Sequence, residues 1–563
     1  MTTNRLHRST RALILALAVL LVSAAAASAG PAQFVIVNVN APNVGFNDPT
    51  PAAPVGGNTG TTLGQQRLIA FQHAASLWSA RLDSAVPIRI RAQFTPLGAG
   101  VLGSAGPVSV VRDFANAPLA GTWYHIALAN KLAGSDLLPA NDDINANFST
   151  NFNFYLGLDN NHGPLPDLVT VLLHEFAHGL GFSQTASLTT GALLSGFPDH
   201  YNTRLLDTTL GLHWSQMTNA QRLASGTNFG RVVLDSARVT AHVPSVLLLG
   251  SPTVQADAPA ALAGPFQFGT AAFGPLLGNP TVAASVVPAV DAVDAGGTST
   301  DGCTAFTNAA AVAGKIALVE RGLCGFAVKA RNATDAGAAA VIIYNQAANV
   351  NAAPPGMADD GVNGAFVTIP AVSIRRADGL SILANVGSGA VSMTIGVDPT
   401  VRAGADALNR ARVYAPFPVV GGSSISHYDT AAFHNLLMEP AINGDLTHKL
   451  KAPDDLTFEA LQEFGWTFPD ADGDGFADDE DCNPNSDVRP TIIIGDNNSG
   501  VPNTLFSTGC TSSDLIAQIA AGAANHGGFV SGVAHLTDQW VAAGIMSGRQ
   551  KGAVQSAAAR SGF

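Results

Sequence analysis

Apolar residues recur along this chain with helical spacing in some stretches and strand spacing in others. Leu68, Phe71, Ala75, Trp78 and Leu82 form a 3-4-3-4 stripe, which predicts an amphipathic helix over residues 65–82. Residues 86–94 (VPIRIRAQF) and 151–156 (NFNFYL) alternate and predict strands, the second with Phe152, Phe154 and Leu156 on one face. Residues 167–182, DLVTVLLHEFAHGLGF, carry apolar side chains at Leu168, Val169, Val171, Leu172, Leu173, Phe176 and Ala177 and predict a buried helix. Gly181 near its end can take φ > 0 and turn the chain away. Over residues 314–345 a strand (KIALVERG), a helix (FAVKARNATDAGA) and a second apolar strand (AVIIYN) form a βαβ-like succession. Residues 456–466 predict a short helix, and residues 513–563 two or three more, with Phe529, Val533, Leu536 and Trp540 as a core stripe.

The helix over 167–182 also carries chemistry. His174 and His178 are i and i+4, one turn apart on one face. Two imidazoles so placed can hold one Zn²⁺ through nitrogen. Glu175 follows the first histidine directly, so its carboxylate lies beside the metal, where it can take a proton from an attacking water. The plain alternative is a buried helix that happens to carry two histidines. The apolar setting and the Gly-Leu-Gly-Phe that follows favour the functional reading.

HExxHxxG opens the longer pattern HExxHxxGxxH, and the chain resembles the metzincin zinc endopeptidases through it. Where that pattern has its third histidine this chain has Gln184, a poor zinc ligand, and no glutamate occurs between Glu175 and Glu320. Nearby candidates for a third ligand are Asp199, His200, Asp207 and His213. A stronger one lies in residues 423–440, SSISHYDTAAFHNLLMEP, which hold His427 and then Met438 in Leu-Met-Glu-Pro. That tetrapeptide is similar to the methionine turn of metzincins. Leishmanolysin-like members resemble the chain further, because an insertion separates their glycine from the third histidine. The resemblance implies His174, His178 and His427 as zinc ligands, Glu175 as catalytic base and Met438 as the turn methionine. His434 is a competitor for the third place, and ordinary core packing is the alternative for Met438.

Residues 251–400 change in texture to Ala, Gly and Val. The GK-I-ALV-RG-C-F pattern around Cys324 and the AVI-YN strand closely resemble the protease-associated (PA) domain. The resemblance implies a module without catalytic residues that binds or admits substrate, or else a rigid spacer. In residues 470–481, DADGDGFADDED, aspartates 470, 472, 474, 478 and 481 fall at loop positions 1, 3, 5, 9 and 12, with Gly475 at position 6. That spacing wraps Ca²⁺. Pro469 and Pro484 argue against EF-hand helices, and with Cys482 the segment resembles a thrombospondin type-3-like repeat; an acidic linker is the alternative.

At 563 residues the chain has room for several domains, and its formal charge of −13, without a basic stretch after the N-terminus, argues against a nucleic-acid partner. Arg5, Arg8 and Arg11 precede an apolar run that ends in Ala27-Ser28-Ala29, the pattern of a cleaved signal peptide and too short for a stable membrane span. Export suits the four cysteines. Cys303 and Cys324 lie in one region and Cys482 and Cys510 in another, with pairing expected within each, although sequence alone permits three connectivities.

The expected architecture is α+β and multidomain. It comprises a signal peptide (1–29), a metzincin-type catalytic domain (30–250) interrupted by an inserted α/β PA domain (251–400) and resumed over 401–468, a calcium repeat (469–487) and a small C-terminal helical module (488–563). The expected function is a secreted zinc endopeptidase that acts on protein or peptide substrates, with Ca²⁺ as a second ion. The rival is a non-catalytic, calcium-dependent extracellular binding protein with a structural metal site. A closed four-ligand site would mark the rival, and three ligands with an open position the enzyme.

Overall fold

The computed structural model describes residues 30–387, 390–478 and 480–562; the expected signal peptide lies outside the described residues. The chain divides into two compact units after Pro469.

In the first unit, strand β1 (Phe34–Asn38) leads to helix α1 (Leu63–Ser79) and strand β2 (Ile88–Thr95). Thr62 caps α1 by accepting a hydrogen bond from the Gln65 N–H. Phe71, Ala75 and Trp78 of the predicted stripe are buried, as is Leu82 just beyond the helix. Strand β3 (Gly103–Pro107), helix α2 (Ile126–Ala133), strand β4 (Ile144–Ser149) and helix α3 (Leu168–Leu180) follow. The sheet runs β1-β2-β4-β3, parallel except for β3, which is antiparallel and forms one edge.

The strand expected over 151–156 does not form; the segment makes only an isolated bridge between Tyr155 and Asp167. Its alternation serves instead to bury Phe154 and Leu156 from an irregular loop. The edge beside the helix belongs to β3, whose sequence GSAGP shows no apolar alternation at all.

All thirteen residues of α3 are buried. Asp167 caps its start by accepting from the Thr170 N–H at 2.9 Å, and Gly181 at φ 136° ends it. Phe176 packs with Phe71, which also meets Phe94 and Phe148 edge-on or tilted. Burying each such ring contributes about 1.5–3 kcal/mol, so the helix is held rigidly. Helix α4 (Ala237–Val246) then leads into the inserted module.

That module is built on an eight-stranded sheet. Its strands are β5 (Leu249–Ala258), β6 (Gly264–Pro265), β7 (Phe268–Thr270), β8 (Val282–Pro288), β9 (Ile316–Glu320), β10 (Ala340–Tyr344), β11 (Ala371–Ile374) and β12 (Ser392–Arg402). The order is β6-β5-β12-β8-β9-β10-β11-β7, with β8 to β11 parallel. Helix α5 (Phe326–Asp335) connects β9 to β10 at the place the sequence pattern indicates. Cys303 and Cys324 are disulfide-bonded. The chain then returns to the first core, where Ala405, Val413, Tyr428, Leu437 and Met438 join the residues of α1 and α3. Helix α6 (Thr457–Phe464) closes it.

The second unit begins with the acidic loop and carries the Cys482–Cys510 disulfide. A hairpin of β13 (Thr491–Ile494) and β14 (Asn497–Pro502), absent from the sequence reading, packs with helices α7 (Ser512–Gly522), α8 (His526–Ala542) and α9 (Gly548–Arg560). Phe529, Val533 and Trp540 are buried in that core, with Leu536 partly so.

Candidate metal centre

Three histidines meet at one point. His174 and His178 come from α3, and His427 from the segment that follows the inserted module. Their Nε2 atoms lie 3.1 Å (174–178), 3.2 Å (178–427) and 3.2 Å (174–427) apart. Each Nδ1 is committed to a main-chain carbonyl. His174 donates to Leu437 O at 2.7 Å, His178 to Phe182 O at 2.8 Å and His427 to Ser423 O at 2.8 Å.

These contacts fix the tautomer. With the proton on Nδ1 in all three rings, every Nε2 presents a lone pair, so the short nitrogen–nitrogen distances are not hydrogen bonds. Protonation does not resolve the repulsion. Burial holds His174 down to about 4 and His178 down to about 3, and keeps His427 well below the usual imidazole range. A cation at the centre does resolve it. Two nitrogens at tetrahedral zinc distance are roughly 3.3–3.4 Å apart, close to the spacing found. The donor set therefore fits zinc, and the carbonyls supply the outer hydrogen bonds that orient metal-binding imidazoles.

Two of these carbonyls come from different local devices. Phe182 O is presented by the turn that Gly181 permits. Leu437 lies in a turn closed by the Glu439 N–H to Leu436 O, and its own N–H is held by buried Asp455 at 2.7 Å. Met438 is fully buried in that turn, and its carbonyl accepts the Tyr428 N–H at 2.7 Å. The Leu-Met-Glu-Pro turn thus acts on His174 through Leu437.

Glu175 is 6% exposed, and its Oε2 has no hydrogen-bond partner. Burial pushes its carboxyl up to about 8, opposed by a hydrogen bond from the Ala105 main chain. It faces edge strand β3, where Gly103 leaves it room. A Cβ on Gly103 would stand 2.9 Å from Glu175 Oε1.

The other sequence candidates occupy structural positions. Asp199 accepts from Thr185 and Asn202, His200 bonds Gly181 O at 2.9 Å, Asp207 accepts from Thr209 and Asn228, and His213 pairs with Asp235 at 2.9 Å. Gln184 donates its main-chain N–H to Ser426 and stands outside the cluster, as does His434. Sequence reasoning missed His448, whose Nε2 lies 2.6 Å from the capping carboxylate of Asp167. It also missed Gly103 and the three carbonyls, which carry no residue-type signal.

In the second unit, carboxylates of Asp470, Asp472 and Asp474 gather within 4.8 Å. Asp478 and Asp481 instead accept main-chain N–H groups of Ala471 and Asn483 and stand outside that group.

A family model for the PA domain matches residues 282–382. An aminopeptidase of Pseudomonas aeruginosa is 55% identical over 65 residues, 12% of each chain. The ER degradation-enhancing alpha-mannosidase-like protein 3 of Xenopus laevis is 38% identical over 124 residues, 22% of this chain and 12% of that one. Among solved structures, an aminopeptidase from Aneurinibacillus sp. strain AM-1 matches at 24% identity and a TM-score of 0.20, over 27% of this chain and 31% of that one. This chain spans 12% of the length of the curated relatives it matches first. None of these curated stretches is long enough to hold both His174 and His427, which are 253 residues apart. The chain is a multidomain protein with a PA domain, and relatives named as peptidases and as a mannosidase-like protein share segments of it.

Proposed function

We propose that this chain is a zinc-dependent peptidase, exported from its cell, that cuts within polypeptides with Glu175 as general base. One observation carries the reading: three Nε2 lone pairs converge on the helix that also carries the buried Glu175 carboxyl. Zinc, when bound, supplies a Lewis acid for the scissile carbonyl and lowers the pKa of the attacking water. His174, His178 and His427 would hold it. Glu175 adds no atom to that cluster, so its carboxyl is free to take the water's proton and deliver it to the leaving amine. Edge strand β3, antiparallel and bordering Glu175, offers a rim along which an extended chain can add as a further strand. That supports cleavage within a chain.

The cluster contains three histidines and, among the described residues, no fourth protein ligand, which speaks against a closed structural site. A second reading, removal of amino-terminal residues, is favoured by the aminopeptidase relatives. Export rests on the pattern of residues 1–29 and on the two disulfides; among the described residues no helix is long and apolar enough to cross a membrane. A calcium ion at residues 470–481 is supported by the three gathered carboxylates.

The test is metal analysis of the purified protein together with casein digestion, with and without chelator. About one zinc per chain and chelator-sensitive digestion are expected. Peptides with free and acetylated amino termini then separate the two modes of cleavage. Zinc without any proteolysis would return the chain to the binding-protein alternative.

A further inference from the structure

Residues 455–457, which lead into α6, brace two of the three histidines from behind. On the His174 side, Asp455 Oδ2 accepts the Leu437 N–H at 2.7 Å, and Leu437 O accepts the Nδ1 proton of His174 at 2.7 Å. On the His427 side, the Tyr428 hydroxyl donates to Leu456 O at 3.2 Å, and the Tyr428 N–H donates to Met438 O at 2.7 Å. Leu437 and Met438 of one turn are thus each tied to a different histidine-bearing segment. Asp455 is the side chain that fastens this turn to the start of α6.

Asp455 is 2% exposed, and its other oxygen, Oδ1, accepts the Thr457 N–H at 2.7 Å. Both oxygens are therefore committed to main-chain N–H groups, one on each side. Burial pushes the carboxyl up to about 6, and the bond from Leu437 is the first to oppose it. The surroundings are acidic as well. Burial raises the carboxyls of Glu439 and Glu459, and the charge of Asp455 adds to both shifts. A carboxylate buried among like charges is an unfavourable choice for a helix start alone, where a Ser, Thr or Asn oxygen serves without the charge. What the carboxylate adds is a second acceptor, and that second oxygen is the one on Leu437. Zinc-binding imidazoles take their orientation from the acceptor on their other nitrogen. For His174 that acceptor is a main-chain carbonyl, whose place is set by the turn that Asp455 holds.

We infer that Asp455 is a positioning residue for the metal: through Leu437 it sets the ring of His174 without itself joining the cluster. This rests on the three-histidine zinc site proposed above and adds to it an acidic residue that no ligand spacing in the sequence marks.

Zinc affinity, measured on the full chain by competition with a chelator, tests the inference. Asp455→Asn keeps the shape, but it has one oxygen for two N–H donors and turns its amide N–H₂ towards the other. Asp455→Ala removes both acceptors. Each should bind zinc about tenfold or more weakly, the low end for loss of an outer hydrogen-bond partner. With Co²⁺ in place of zinc, each should also shift the visible absorption band. Asp143→Asn is the control, because that carboxylate is equally buried and accepts the Arg89 N–H at 2.8 Å and the Asn130 amide at 2.9 Å, outside the cluster. It should lose stability yet keep the parent's zinc affinity and Co²⁺ spectrum. If Asp455→Ala fails to fold, Asp455→Asn still decides. Parent-like zinc affinity in Asp455→Asn, or an equal loss in Asp143→Asn, would overturn the inference. A parent that binds zinc and cleaves nothing would sink the peptidase reading alone, whereas a parent that binds no zinc would sink both.

Discussion

Gly103→Ala is the substitution that isolates the placement of Glu175. The glycine's backbone conformation is one alanine also adopts, so the change adds a methyl group without backbone strain. That methyl would lie 2.9 Å from Oε1, 3.0 Å from Cγ and 3.2 Å from Cδ of Glu175. Ordinary contact begins near 3.4 Å, so the carboxyl must retreat by about 0.5 Å or more, or the strand must give way. A misplacement of about 1 Å at a reacting group costs up to ~10²-fold in rate. We therefore expect kcat/KM to fall by about 10- to 100-fold, equivalent to ~1.4–2.7 kcal/mol in the barrier. The histidines do not touch Gly103, so zinc content should stay at about one per chain. Gly106→Ala is the control, because a Cβ there meets nothing within 4 Å on the same strand. The assay is peptide hydrolysis under steady-state conditions with zinc measured on the same preparations. If Gly103→Ala hydrolyses peptide as fast as Gly106→Ala at equal zinc content, Glu175 is not the base or is not held by β3.

Glu175→Gln should keep its zinc and lose roughly 10²-fold or more in kcat, the loss expected for a missing general base; full turnover would end that assignment. His427→Ala should lower zinc affinity sharply in a competition titration, whereas His213→Ala, which removes only the pairing with Asp235, should leave it unchanged. His448→Ala should lower stability by about 1–3 kcal/mol, since it removes a charged hydrogen bond to a buried carboxylate. Burial opposes the Asp167 charge, but bonds from His448 and Thr170 win and hold its carboxyl below the usual range. A depressed carboxyl contributes stability above its unfolded pKa and loses it as pH falls through the folded value. Acid unfolding of the parent should therefore begin below about pH 4, and His448→Ala should start to unfold at higher pH. Asp472→Ala with Asp474→Ala should abolish any Ca²⁺-dependent rise in melting temperature; an identical rise in parent and variant would place calcium elsewhere.

The helix of the candidate metal centre was legible because local rules agree there: a dense apolar run and a glycine where φ turns positive. His427 was legible for a different reason, the coincidence of a histidine with a Leu-Met-Glu-Pro turn shortly after it. The βαβ run of the inserted module stood out because buried parallel strands read as unbroken apolar segments. Strand β3 was invisible because Gly, Ser, Ala and Pro give no alternation. Residues 151–156 misled because Phe154 and Leu156 alternate into the core from a loop that has no strand to pair with. Phe182, Leu437 and Ser423 orient the imidazoles through carbonyls, which every residue has, so only folding reveals which ones matter. The contact from His448 to Asp167 spans 281 positions and leaves no local trace.

The interval between the second and third histidines also sets a schedule. His178 and His427 are 249 residues apart, and the residues that match the PA domain, 282–382, lie between them. A ribosome that adds roughly 5–20 residues per second needs about 12–50 s to cross that interval. Throughout it, the growing chain has both histidines of α3 but not the one that completes the set. The chain is therefore born with its histidine cluster incomplete, and the third histidine emerges only after the whole intervening module has been made.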